Sequence, residues 1–175
     1  MSPLQYIRWR WGTRRAALAT IRHIKSVGVY PASLVDAGAR NSEFMRYLAR
    51  AWPYAEIHSF EPNPSCNPMG YWHRKAIGPR HPLRDISFSQ PALLKVDCDW
   101  STVAVVKSAD LTAFQWVVVE VTEDAPGGWM GENNRSEING IMAEAGFKKS
   151  MAVDAVVCVM DNRVAQTDVL FWKEL

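Results

Sequence analysis

Three acidic residues stand at the ends of short apolar runs in the chain. Asp36 closes the run SLVD, Glu61 follows AEIHSF, and Asp97 closes PALLKVD. Runs of this length that end at loop residues are typical of buried strands, and in an open α/β sheet ligands bind beyond the carboxyl ends of the strands. An ionised carboxylate accepts hydrogen bonds at both oxygens. A carboxylate after the second strand therefore suits two vicinal ribose hydroxyls, and Glu61 fits this role best.

Small residues follow the first of these acids, in the stretch DAGARNSEF at 36–44. Gly38 and Ala39 let a ligand approach the backbone, and the helix that follows offers free N–H groups. The stretch lacks the GxGxxG spacing of dinucleotide-binding turns, and Asp36 serves a pyrophosphate poorly. A ligand with a positive centre is better served. S-adenosylmethionine, with a sulfonium, an amino group and a ribose diol, meets these requirements.

Strand and helix patterns alternate around these residues and predict an α/β fold. The predicted strands are 33–37, 55–60, 91–97 and the strongly β-prone 114–121, with 74–78 as a short additional candidate. The predicted helices are 42–51, about 100–110, and 136–145. The prolines of EPNPSCNPMG require a loop between the second strand and its successor. The final strands lack an intervening helix, which predicts an antiparallel hairpin closing a mostly parallel sheet.

The bulk properties of the chain favour one folded unit. With 175 residues, 48% of them hydrophobic, the chain is long enough to bury a core and differs from a disordered tail. No run of about 18 apolar residues occurs, so no spanning helix is predicted. Cys66, Cys98 and Cys158 lack metal-ligand spacing, and we expect no metal, reduced thiols and a cytoplasmic location.

The N-terminal segment, residues 1–30, carries the basic character of the chain. Six of the 20 basic residues precede Asp36, where no acid occurs, although the net charge is only +2. Apolar residues recur between the arginines at helical spacing, which predicts one or two amphipathic helices broken near Gly12. A helix packed on its own domain, a helix on an anionic membrane and a nucleic-acid contact all produce this pattern.

The motifs, taken in order, resemble those of the FkbM-type methyltransferases. LVDAGARNSEF is similar to that family's VDVGAN-x-G turn, EPNP is its most specific short element, and LLKVDCDW is similar to its LKIDVEG strand. VVVEV and EAGF correspond to its fifth strand and to the GF before its last strands. The resemblance covers about residues 33–175. It implies a class I Rossmann-like methyltransferase fold, with helices on both faces of the sheet, for a single methyltransferase-like domain at 31–175.

The resemblance also implies a site for S-adenosylmethionine. Its residues come from the first three motifs, with the first turn on the methionine side and the EPNP element at the ribose: Asp36, Gly38, Ala39, Glu61, Asn63 and Asp97.

Methyl transfer to a hydroxyl requires a base that takes the hydroxyl proton. The candidates are Asp97, Asp99, Glu120 and His58, of which Asp97 and Glu120 are the predicted catalytic residues. His58 lies inside a predicted strand, where a packing role is more common for histidine. The methyl acceptor, which the resemblance implies is a small molecule or sugar, borders the loop at 122–135.

Four residues depart from the family pattern. Arg40 and Ser42 replace an asparagine and a glycine of the first turn, and Trp100 and Thr102 replace a glycine and an acid after the fourth strand. Three functions therefore stay open: an O-methyltransferase, a catalytically silent methyltransferase-like module that binds a partner protein through its N-terminal helix, and a nucleotide or nucleic-acid binder that uses the basic segment.

Overall fold

One mixed sheet organises the molecule. The structure is a computed structural model and describes residues 3–98, 101–122, 135–157 and 164–174. In these residues seven strands form one sheet, in the order β3-β2-β1-β4-β5-β7-β6. The strands are β1 Ser33–Ala37, β2 Glu56–Phe60, β3 Tyr71–His73, β4 Ala92–Val96, β5 Trp116–Thr122, β6 Lys149–Val157 and β7 Val164–Trp172. The α-helices are α1 Pro3–Val27, α2 Glu43–Ala51, α3 Thr102–Ser108 and α4 Arg135–Glu144.

The pairing of the strands confirms the predicted fold class. Strands β1 to β5 pair in parallel, whereas β7 is antiparallel to both β5 and β6. Helices α1 and α2 contribute to the core on one side of the sheet, and α3 and α4 contribute to the core on the other. Every residue of β1 and of β4 is buried. Parallel strands covered on both faces are expected to be apolar along their whole length, which is why these two strands were predicted at almost their observed positions.

Two predicted features are wrong. The third strand is Tyr71–His73, not 74–78, because the aromatic residues of this stretch alternate between the two sides of the edge strand while Arg74 and Lys75 are exposed. Helix α1 runs through Gly12 without a break. A single glycine costs a helix only about 1 kcal/mol, and Ala16, which follows it, is fully buried.

Helix α1 packs against the rest of the described chain. Its buried residues are Ala16, Ala17, Ile21 and Ile24, which share a core with α2 and the sheet. The guanidinium of Arg15 pairs with the carboxylate of Asp154 on β6 at 3.1 Å. No helix in the described part of the chain has the length and apolar content required to span a bilayer.

The glycine after β1 allows two strand ends to approach. Gly38 has φ +84°, and a Cβ built on it would lie 1.8 Å from the backbone carbonyl oxygen of Asp97. Gly28, which follows α1, has a similar φ of +79°, but a Cβ there would meet nothing within 4 Å. Gly38 therefore faces both a conformational and a steric constraint, and Gly28 faces only the first.

We expect Gly38→Ala to destabilise the protein much more than Gly28→Ala. The Gly28 variant loses only the left-handed preference of glycine, about 1–2 kcal/mol, whereas the Gly38 variant must also separate β1 from β4. Urea unfolding of both variants measures the difference. Equal losses of unfolding free energy would contradict the close approach at Gly38.

Candidate functional site

The strand order reverses between β1 and β4, and their carboxyl ends meet there. The backbone N–H of Asp97 donates to the carbonyl of Ala37 at 3.0 Å, and the N–H of Gly38 donates to the carbonyl of Phe60 at 3.0 Å. The ends of β1, β2 and β4 are thus bonded together at the switch point. In open α/β sheets this is the position at which ligands bind.

Glu61 lies at this position, directly after β2, with only 7% of its surface exposed. One carboxylate oxygen accepts the backbone N–H of Arg40 at 3.0 Å and the other accepts the N–H of Asn63 at 2.8 Å. These bonds fix the orientation of the carboxylate. Because a carboxylate oxygen has two lone pairs, each oxygen can accept one further hydrogen bond.

The loop that carries Glu61 is bonded to the turn after β1. The side-chain oxygen of Asn41 accepts the N–H of Asn67 at 3.0 Å, and the hydroxyl of Ser42 accepts the N–H of Met69 at 3.1 Å. Ser59 also donates to the Met69 carbonyl at 2.7 Å. The loop therefore lies in a defined position on the turn. Within the turn, Arg40 and Ser42 have left-handed backbone conformations with φ of 43° and 52°.

A set of ionisable side chains, here called the charge cluster, lies on the α1/α2 side of the sheet. Strand alternation places its members on this side, since their neighbours in each strand point to the opposite core. The cluster consists of Asp36 on β1, Lys95 and Asp97 of β4 and its end, Glu120 on β5 and Asp168 on β7. The Lys95 ammonium lies 2.7 Å from an Asp97 oxygen and 5.5 Å from the centre of the Phe44 ring. Glu120 and Asp168 are paired across β5 and β7.

Lys95 and Asp97 stabilise one another as charged groups. Burial opposes the charge of Lys95, but the carboxylates of Asp97, Asp36 and Asp168 together raise its pKa. Burial likewise disfavours the Asp97 carboxylate, yet the ammonium of Lys95 lowers the pKa of Asp97 overall. Both groups are therefore ionised at neutral pH.

The other carboxyl groups of the cluster bind protons more tightly than usual. Burial, with the nearby Asp97 and Asp168, raises the pKa of Glu120 to about 9. Burial also raises the pKa of Asp36 and of Asp168 to about 6, although Lys95 opposes both shifts. At neutral pH Glu120 is protonated and shares a hydrogen bond with Asp97. The cluster thus has more negative than positive charge and favours a cation.

The predicted site residues differ in accessibility. Asp36 and Ala39 are 2% and 4% exposed, so the Asp36 carboxylate has almost no surface open to direct contact. About a third of the Asp97 side chain is exposed, at 34%. Asn63 is exposed and its side-chain oxygen accepts the N–H of Ser65 at 2.9 Å.

His58 is placed away from the charge cluster. It lies mid-strand in β2, on the opposite side of the sheet, where its ring contacts those of Tyr71, His73 and Phe88. Burial lowers its pKa. The structure therefore favours a packing role for His58. Asp99 and Trp100, and residues 123–134 of the predicted acceptor loop, lie outside the described residues.

Lys95 and Asp168 were not predicted from the sequence as site residues. Lys95 is the charged residue of the otherwise apolar strand ALLKV, and Asp168 directly precedes the apolar run VLFW within β7. A charge at a buried strand position requires a partner, and this was the available signal. It identifies the residue but not the partner, because the partner lies on another strand.

Comparison with known proteins identifies structures that have a similar fold. No family model and no curated protein matches the chain. Among solved structures, the chain is similar to EvdMO1, with a TM-score of 0.57 and 12% sequence identity. The match covers 90% of this chain but only 41% of the length of EvdMO1. It is similar to the magnesium protoporphyrin IX methyltransferase ChlM from Synechocystis with a TM-score of 0.55 and 9% identity, covering 93% of this chain and 80% of that one. The chain is also similar to the 1,6-didemethyltoxoflavin-N1-methyltransferase of Burkholderia thailandensis, with a TM-score of 0.54 and 12% sequence identity. This match covers 93% of this chain and 79% of that protein. The chain has the fold of the class I methyltransferases.

The charge cluster predicts a decrease in stability as the pH rises. Between about pH 4.5 and 9 the folded chain keeps a proton on Glu120 that the unfolded chain releases, which lowers the unfolding free energy by up to about 1.4 kcal/mol per pH unit. Thermal unfolding of the wild type and of Glu120→Gln between about pH 7 and 9 isolates this group by difference, because Cys98, whose pKa burial raises to about 12, and the histidines with lowered pKa contribute equally to both proteins. Glu120→Gln keeps a donor toward Asp97 and should flatten the decrease. Glu137→Gln, at an exposed position, is the control and should leave the decrease of Tm with pH unchanged. The same dependence of Tm on pH in the wild type and in Glu120→Gln would rule out a protonated Glu120.

Proposed function

We propose that the chain is an S-adenosylmethionine-dependent methyltransferase that acts on a hydroxyl of a small molecule or sugar. The observation that carries this proposal is the position of Glu61 in a methyltransferase fold. Its carboxylate is held by two backbone N–H groups at the switch point of the sheet, and each oxygen keeps an acceptor site. Two vicinal hydroxyls of a ribose match these two acceptors.

Structures with the same fold support this cofactor class. ChlM was solved with bound SAM. The plantazolicin methyltransferase BpumL, solved in complex with SAH, has a TM-score of 0.53 to this chain at 9% identity and covers 91% of this chain and 83% of its own length. At this identity the similarity extends to the fold, and the cofactor of this chain is inferred from its own residues.

The backbone of the first turn supports the FkbM-type resemblance. Arg40 and Ser42 stand where that family's pattern has asparagine and glycine, and both adopt left-handed φ values of 43° and 52°. Glycine and asparagine are the residues that tolerate this conformation best. The turn thus has the conformation that the family residues favour, although the two side chains differ.

Several residues of the chain have defined roles toward the cofactor in this proposal. Glu61 holds the ribose, with Asn63 fixing the Glu61 carboxylate, while Gly38 and Ala39 bring the turn close to the methionine side. The negative charge of Asp36 and Asp97 stabilises a cation beyond the strand ends. When bound, S-adenosylmethionine supplies an electrophilic methyl group on a sulfonium. The protein then chiefly aligns the acceptor oxygen and excludes water.

Asp97 is the base in this proposal, and Glu120 positions it. Asp97 is ionised and partly exposed, so it can accept the proton of an acceptor hydroxyl. Glu120 and Lys95 donate to its carboxylate and hold it at the end of β4. These same bonds weaken Asp97 as a base, since each stabilises the ionised form.

This weakness supports a second candidate, a methyltransferase-like module without catalysis that acts by binding. The base candidates are hydrogen-bonded to one another, and Arg40 adds a positive charge that acts on Asp97. Such a module binds the cofactor or a partner without turnover. Measuring binding separately from methyl transfer distinguishes the two candidates.

Removing the Glu61 carboxylate should abolish cofactor binding. We expect Glu61→Ala to weaken the binding of S-adenosylmethionine at least about 100-fold, because two hydrogen bonds to a charged acceptor contribute about 1.5–3 kcal/mol each. Calorimetric titration measures the change. Glu56→Ala, at the exposed start of the same strand, is the matched control and should bind as the wild type does. Thermal unfolding checks that the Glu61 variant is folded, and full affinity in a folded variant would refute the proposed site.

Arg40 provides a test that depends on the charge of the cofactor. Arg40→Asn should tighten the binding of S-adenosylmethionine by roughly 2- to 5-fold, as expected from removing one exposed like charge. The same substitution should change the binding of S-adenosylhomocysteine much less, because this ligand lacks the sulfonium charge. Arg50→Asn at the far end of α2 controls for the general loss of a cation. Equal effects of Arg40→Asn on the two ligands would place the sulfonium away from Arg40.

A further inference from the structure

Helices α1 and α2 lie in contact on one side of the sheet and present a row of cations outward. On α1, Arg14, Leu18, Arg22 and Lys25 follow one another at intervals of four, four and three residues, and all are exposed. On α2, the exposed Arg46 and Arg50 are four residues apart. Residues three or four apart share one face of a helix. We call these six residues the basic face.

Acids are scarce on these two helices. The sequence of α1 contains no Asp or Glu, and α2 contains only Glu43, in its first turn and half-buried. Arg15, beside the basic face, pairs with Asp154 of β6. The basic face therefore has a strong excess of positive charge in a chain whose net charge is only +2.

The apolar side of α1 is already in use. Ala16, Ala17, Ile21 and Ile24 are buried in the core with α2 and the sheet. The helix therefore cannot insert its apolar face into a lipid bilayer as a free amphipathic helix does. Its outward contacts depend on charge, with two exposed hydrophobic side chains near the cations: Leu18, 39% exposed, and Tyr54, 98% exposed just after α2.

The shape of this surface favours a membrane over nucleic acid. The major groove of a duplex admits a single helix, whereas α1 and α2 pack side by side and place their cations on two helices. Single strands bind in positively charged grooves in which aromatic rings stack on the bases, and the basic face is the outer side of a helical layer. Lys and Arg near anionic headgroups bind by charge, and Tyr is common at the membrane interface.

We propose that the basic face docks the protein on anionic lipid headgroups at a membrane surface. This proposal is independent of the methyltransferase activity, because the basic face uses none of the residues of the candidate site. Docking depends on charge, so it weakens as salt screens the surface.

Vesicle sedimentation with the full chain tests the proposal. We expect binding to phosphatidylcholine vesicles that contain about 30% phosphatidylserine, little binding to pure phosphatidylcholine, and loss of binding at about 0.5 M salt. Reversing four cations, with Arg22→Glu, Lys25→Glu, Arg46→Glu and Arg50→Glu, should weaken binding at least about 100-fold. The matched control reverses four exposed cations elsewhere on the chain: Arg74→Glu, Lys75→Glu, Arg80→Glu and Arg84→Glu.

Milder variants keep the test valid if the fourfold reversal does not fold. Arg22→Gln with Lys25→Gln, and Arg46→Gln with Arg50→Gln, should each weaken vesicle binding by about tenfold or more while leaving the Tm near that of the wild type. Absence of binding to phosphatidylserine vesicles, or equal loss in the control, would overturn the proposal. Binding of an RNA oligonucleotide through the basic face, without vesicle binding, would overturn it in favour of nucleic acid.

Discussion

The ammonium of Lys95, buried among carboxyl groups, is the interaction on which the candidate site depends. Asp36, Asp97, Glu120 and Asp168 come from four different strands and lie on one side of the sheet. Without a cation among them, burial and mutual repulsion would force most of them to be protonated. Lys95 instead keeps Asp97 charged, while Glu120 holds its proton. One buried cation therefore sets which carboxylate can interact with a cationic ligand or accept a proton.

The helical layer above this cluster determines how strong the interaction is. Charges interact more strongly where water is excluded, and α1 and α2 exclude it from this side of the sheet. Phe44 of α2 lies beside the Lys95 ammonium, and α1 is joined to the outer strands by the ion pair between Arg15 and Asp154. Asp154 in turn lies opposite Asp168 in the sheet. The packing of the N-terminal helix and the electrostatics of the cluster are thus linked through Asp154.

The sequence predicts the parts of this arrangement that depend on local patterns. β1 and β4 are buried and mostly apolar runs, and the acids near their carboxyl ends mark the end of the sheet where the candidate site lies. The partners in the cluster depend instead on strand order. Asp168 reaches the cluster because β7 lies between β5 and β6, and no local pattern tells which strand of a terminal hairpin will be inside. The third strand was misplaced for a related reason, since an edge strand of three residues is defined by its pairing with β2 more than by its own composition.

The turn after β1 shows how a serine with side-chain hydrogen bonds can hold a backbone conformation that glycine adopts more easily. A left-handed backbone costs a residue other than glycine about 1–2 kcal/mol, and Ser42 has such a backbone while fully buried. Its hydroxyl accepts the N–H of Met69 and contacts Ser59, and hydrogen bonds of this kind contribute about 1 kcal/mol each. These bonds offset the backbone cost. They also hold the loop that carries Glu61, whose carboxylate is fixed by the N–H of the other left-handed residue, Arg40. The two residues with left-handed backbones, Ser42 through its hydroxyl and Arg40 through its N–H, therefore help to position the carboxylate proposed to bind the ribose.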